Sequence, residues 1–159
     1  MEVTRTFDLI DLNAEKYPRE VMYGGKSGKE WVTYSTEQVR DNVNYVSLGL
    51  LSLGFKRGDK IATISGNKAE WNFADMGMAQ IGAVHVPIYP TISTNEYSYI
   101  LSHADVKAII VGNKSIYNRV SPVASAQGLS NNIFSFEHID NVRSFNEIID
   151  KGKENYDKS

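Results

Sequence analysis

The chain has 159 residues, 42% of them hydrophobic and 23% charged, which is ordinary globular usage and enough for a real core. Its net charge of −2 argues against nucleic acid as a principal ligand, since that role favours a basic face. The chain contains no cysteine, which rules out a disulfide framework, a thiolate zinc site and a cysteine nucleophile.

The opening stretch, MEVTRTFDLIDLNAEKYP, lacks the unbroken apolar core of a signal peptide, and no later run is long enough to be a transmembrane segment. A soluble cytoplasmic chain, or part of one, is expected. Thr6 is a candidate cap for a helix reaching Tyr17. Phe7, Ile10, Ala14 and Tyr17 fall at helical spacing, Pro18 stops it, and Asp8, Asp11 and Glu15 face outward. EVMYGG (20–25) and KEWVTYS (29–35) read as two strands of a hairpin joined across Gly24–Gly28. Ser35 and Gln38 form a capping box for a helix over 35–53. Val39, Val43, Val46, Leu50 and Leu53 make its apolar stripe, and Gly54 supplies a left-handed C-cap.

KIATIS (60–65) is the next strand. Asn67 is then a candidate cap for a helix with Phe73, Ala74, Gly77, Met78 and Ile81 inside, ending at Gly82. Ala83 to Val86 reads as a short buried strand. Pro87 removes a ladder donor, so the strand stops there or lies at a sheet margin, and Pro90 holds Tyr89 extended. Ser93 and Glu96 form a second capping box, opening a helix over 94–103. There follow a strand KAIIVG, a helix over 115–127 that Pro122 should kink or split, a strand NIFSF, and a helix from Ser144. Ser144 and Glu147 suggest a third capping box, with Phe145, Ile148 and Ile149 inside. Beyond Gly152 the polar tail 153–159 is expected to fray.

The fold class expected is therefore α/β: a doubly wound, mostly parallel sheet with helices on both faces over 35–152. An N-terminal helix and β-hairpin precede it over 1–34. The strands are short apolar runs of the kind buried under helices, and no repeat or linker divides the chain.

Such sheets bind ligands beyond the carboxyl ends of their strands, yet no strand-to-helix turn carries G-x-G-x-x-G. The turn SGNKAEW has one glycine. GGKSGKE (24–30) imitates a phosphate loop but joins two strands and fails the spacing test, so it reads as a plain hairpin turn. His85, His103 and His138 are scattered and lack metal-site spacing; each reads as structural or superficial. Asp59 and Asp75 form no acidic cluster at strand tips. The residues alone present a scaffold without a catalytic or metal centre.

Several phrases resemble, in order, the amino-terminal part of the long-chain acyl-CoA synthetases of the adenylate-forming superfamily. They are WVTYS (31–35), LGLLSLGFKRGDKIATISGNKAEW (48–71), GAVHVPIYPTIS (82–93) and HADVKAIIVGN (103–113). Ile61 departs from the family's valine, and the likeness is close over 1–115 and looser beyond. The resemblance implies an enzyme that activates a fatty acid with ATP and Mg2+ as an acyl-adenylate, then passes it to the thiol of CoA. The family's phosphate loop and its lysine, its Tyr-Gly-x-Thr-Glu motif, its ribose-binding Asp and its carboxy-terminal lysine have no counterpart in these residues. The chain is thus identified as the N-terminal part of an AMP-binding domain, holding none of ATP, Mg2+ or CoA tightly and prone to self-association. Under that resemblance Tyr89, Pro90 and Thr91 border the channel for CoA's pantetheine arm. Trp71 is a candidate for the same lining. The residues themselves equally allow that the prolines only end a strand and that Trp71 only packs. Two alternatives stay open: another adenylating enzyme with a different acid, and a stand-alone non-enzymatic binding module.

Overall fold

A computed structural model describes residues 3–156 of the chain. Helix α1 (Asp8–Lys16) has no side-chain cap, and Thr6 does not serve as one. Asp8 turns back instead and accepts from the backbone N–H groups of Thr4 and Arg5, at 3.1 and 2.9 Å. It is buried, contrary to the outward position expected for it. Arg5 pairs with it at 2.9 Å. The Arg5 side chain, helped by backbone N–H groups and the Thr4 hydroxyl, holds the Asp8 carboxyl down at about 2.

Strands β1 (Tyr23–Ser27) and β2 (Glu30–Tyr34) form the antiparallel hairpin. Gly24 and Gly25 lie inside β1, and the turn falls later, on Gly28 and Lys29. Gly28 adopts φ 63°, which a two-residue hairpin turn requires and a side chain resists. Helix α2 (Thr36–Ser52) carries the complete Ser35–Gln38 capping box, and Val39, Val43, Val46 and Leu50 are buried. Leu53 is half-buried, and Gly54 has the expected left-handed φ of 89°.

The remaining elements alternate: β3 (Lys60–Ile64), α3 (Ala69–Gln80), β4 (Val84–Ile88), α4 (Thr94–His103), β5 (Val106–Val111), α5 (Lys114–Ala126), β6 (Ile133–Ser135), β7 (Arg143–Ser144) and α6 (Phe145–Tyr156). The sheet order is β4-β3-β5-β6-β7 and every pairing is parallel. One face buries Ile61, Ala108, Ile110 and Phe134 under α2, α3 and α6; the other buries Ile64, Ile109, Val111 and Ile133 under α4 and α5. The sheet is therefore doubly wound, with its switch of direction between β3 and β5.

Further local readings are corrected. Strand β4 is no buried strand: it is an edge strand, with Val84 47% exposed, and it runs through Pro87 to Ile88. The Val84 N–H donates to the Asp59 carbonyl, toward β3, so alternation turns the Pro87 nitrogen away from β3. The missing donor thus costs the β3–β4 ladder nothing. Asn67 does not cap α3; Lys68 occupies that position and its side chain reaches Glu137 at 2.9 Å.

Helix α5, capped by Asn113, continues unbroken through Pro122. Pro122 and Asn118, whose carbonyl loses its helical partner, both lie on the exposed side, open to solvent. At α6, Glu147 is taken by the Arg143 fork at 2.6 and 2.9 Å, so no capping box forms with Ser144. The Arg143 guanidinium also holds the Glu147 carboxyl below its ordinary range.

Gly152 does not end α6. It lies against the Tyr45 carbonyl, and Gly49 of α2 lies against the Ile148 carbonyl; a Cβ at either place would overlap backbone. These two glycines let α2 and α6 approach at the main chain. The helix continues to Tyr156, so only 157–159 of the expected frayed tail fall outside the described residues.

Candidate functional site

The carboxyl edge of the sheet brings three features together. At the switch point, the turn after β3 offers a crevice of about 350 Å³ lined by Ser65, Gly66, Asn67, Lys68, Trp71 and Asn72. A broader groove of about 710 Å³ lies beside it, between the hairpin, the start of α3 and the loop after β6, with Lys26, Tyr34, Glu70 and Glu137 in its walls. GGKSGKE lines this groove as a hairpin rather than as a helix-opening phosphate loop, as its sequence suggests.

The third feature is the connection between β4 and α4. Tyr89 is 80% exposed and Thr91 is exposed, while Pro90 is half-buried. The Pro90 carbonyl accepts from the Tyr97 hydroxyl at 2.8 Å and from an Arg119 η-nitrogen at 2.7 Å. The second η-nitrogen of Arg119 donates to the Ile92 carbonyl. The Arg119 guanidinium lies 5.3 Å from the centre of the Tyr97 ring. Tyr97 is fully buried, and burial pushes its hydroxyl up in pKa, with Arg119 opposing. Ser93 and Glu96 form the expected capping box just beyond.

Of the residues singled out in the sequence, Tyr89, Pro90 and Thr91 thus share one tethered loop. Trp71 lies elsewhere, on α3, half-buried with its ring 4.9 Å from that of His85. His85 in turn holds Asp75 at 2.7 Å through Nδ1, and its buried Nε2 has no hydrogen-bond partner. The other histidines do not converge on it: His103 stacks on Tyr99 at 5.4 Å, and exposed His138 meets Asp140 at 3.2 Å. Arg119 escaped the sequence reading, because its target carbonyls lie 29 and 27 positions earlier in the chain. Tyr97 carried a faint signal, being an aromatic one turn past a helix cap.

The AMP-binding enzyme family matches residues 10–155, and the chain belongs to it. The match reaches well past residue 115, where the sequence likeness loosens. Among curated proteins the chain is similar to fatty acyl-CoA synthetase A of Dictyostelium discoideum, 29% identical over 99 residues, which are 62% of this chain and 14% of that protein. It is similar also to long chain acyl-CoA synthetase 5 of Arabidopsis thaliana, 33% identical over 117 residues, 69% of this chain and 17% of that one. A solved anthranilate CoA ligase in complex with anthranoyl-AMP shares the fold, with TM-score 0.76 at 21% identity over 92% of this chain and 28% of that chain. The matched stretch therefore covers less than a fifth of the length of these curated relatives. Among the described residues no helix is long and apolar enough to cross a membrane.

Proposed function

We propose that this chain supplies the N-terminal part of the AMP-binding domain of a cytoplasmic, ATP-dependent long-chain fatty acid–CoA ligase. A carboxylate is a poor electrophile; joined to AMP as a mixed anhydride it gains a good leaving group, and the thiol of CoA then displaces AMP to give the thioester. The observation that carries this reading is the Pro-Ile-Tyr-Pro-Thr exit of β4. It resembles the corresponding stretch of the long-chain synthetases, and its last three residues, Tyr89 to Thr91, leave the strand with Tyr89 and Thr91 exposed at the edge where α/β sheets receive ligands. In this reading Tyr89, Pro90 and Thr91 wall the path of the acceptor thiol. Their low residual freedom leaves little entropy to lose when the substrate arrives. Trp71 has the weaker claim, since His85 already occupies its ring.

Among the residues described no group of three or more His, Asp or Glu side chains gathers around one point, so they offer no all-protein cage for Mg2+. No step through the metal is assigned to them, and the chain by itself is expected to be silent. ATP, Mg2+, CoA and fatty acid belong to the complete enzyme. Purified 1–159 is expected to show no fatty-acid-dependent pyrophosphate exchange, and the complete polypeptide is expected to show it; turnover by the short chain refutes the proposal. A reading frame that continues past Ser159 into a Ser/Thr/Gly-rich phosphate loop supports it, and a stop codon there overturns it. The exposed β4 edge, with Val84 bare and Tyr89 bare just beyond it, is expected to make the isolated chain self-associate, which light scattering reads.

A further inference from the structure

We propose that Arg119 and Tyr97 are positioning residues that fix the Tyr89–Ile92 loop from beneath and so set how well the enzyme takes up its thiol acceptor. The second half of that statement rests on the function proposed above; the first half rests on the geometry alone.

The loop's carbonyls and side chains divide the work. The carbonyls of Pro90 and Ile92 receive the two arms of one guanidinium. Tyr89 and Thr91, on either side of Pro90, are turned to the outside. Tyr97 adds a second donor to Pro90 from a fully buried position, where its hydroxyl would be costly to leave unpaired. Arg119 lies over the Tyr97 ring, so each donor fixes the place of the other. The two come from different helices, and a hydrogen bond from Gln127 to the Ser98 carbonyl at 3.0 Å ties those helices together. The loop is thus anchored to the α4–α5 layer rather than to its own strand.

A planar guanidinium is what this task needs. Two carbonyls two residues apart call for two donors held at a fixed separation, which a guanidinium has and an ammonium lacks. Such charge-assisted bonds are also shorter and roughly twice as strong as neutral ones. Pro90 and Pro87 limit the backbone's own rotations, and the fork removes most of what remains. A wall built this way presents Tyr89 and Thr91 at one height and angle.

The test uses Arg119→Met, Arg119→Lys and Tyr97→Phe. In chain 1–159, amide hydrogen exchange at Ser93 and Glu96, the hydrogen-bonded N–H groups at the end of the loop, is expected to rise about tenfold or more in Arg119→Met, the loss of two charge-assisted bonds. Arg119→Lys should regain part of the protection, and Tyr97→Phe should lose less, because the fork survives. Exchange in β3 and β5 is expected to stay unchanged, which separates loosening of the loop from a general loss of stability. Unchanged loop exchange in Arg119→Met overturns the clamp.

In the complete polypeptide, Arg119→Met is expected to raise KM for CoA about tenfold while kcat and KM for ATP hold. Faster exchange with an unaltered KM for CoA overturns the link to the acceptor and leaves only a structural tether. If the unmodified polypeptide shows no ligase activity, the proposed function fails, taking the acceptor half with it. The exchange data then still decide the clamp.

Discussion

The two sides of the sheet are held by different kinds of contact. Under α2, α3 and α6 the approach is nearly backbone to backbone: Gly49 and Gly152 admit the opposing carbonyls, and Gly77 admits Val46. On the α4–α5 side, by the β4 exit, the decisive contacts are polar: a guanidinium, a phenol and a capping box acting on backbone groups. Close packing tolerates almost no change of volume, because interiors are as dense as organic crystals. Polar ties tolerate change in volume but not in direction. The scaffold is secured by shape, and the exposed loop at the sheet edge by donors.

That contrast can be broken in graded steps. Val46→Asp places an unpaired charge at a fully buried site between α2 and α3 and is expected to cost about 4 kcal/mol or more, unfolding the chain; an unmoved melting temperature would refute the core assignment. Gly152→Ala drives a methyl into the Tyr45 carbonyl and should cost about 3 kcal/mol in urea titration, far beyond the usual small effect of alanine in a helix.

On the polar side, Ser93→Ala removes one arm of the capping box at α4. It should cost about 1 kcal/mol in the same titration, with little change at α2. The smallest effect is expected at Asp8. Its folded-state pKa of about 2 lies below its ordinary 3.8, so its contribution is complete above about pH 4 and disappears as pH falls through 2. Asp8→Asn should flatten that acid limb of the stability curve and leave the neutral region's slope unaltered.

How much of this was legible in the sequence depended on how local the cause was. The capping boxes at Ser35 and Ser93 need only residues three apart, and both stand as read. Ser144 and Glu147 have the same spacing, but Arg143 competes for the carboxylate and wins with two charge-assisted bonds. Gly54 ends a helix as glycines often do, whereas Gly152 has another reason to be glycine, and only the position of α2 reveals it.

The alternation of apolar runs gave the parallel α/β class, yet it could not say which strand lies at the margin. Pro87 was the one clue, and it allowed either an end to the strand or the margin position that β4 takes. At the candidate site the exposed loop was readable from its prolines. Its anchor was not, since Arg119 looks like any surface cation until α5 folds back over α4.

Pro87 also governs what can lie alongside the sheet. On the outward side of β4 the His85 N–H points away from β3, and two positions later, where the next donor would stand, there is only a ring. A strand zipping onto this flank from the Val84 end would find its first rung and miss the second. The flank therefore welcomes a brief neighbour and starves a long one, a brake on the endless side-by-side growth to which bare sheet margins are prone.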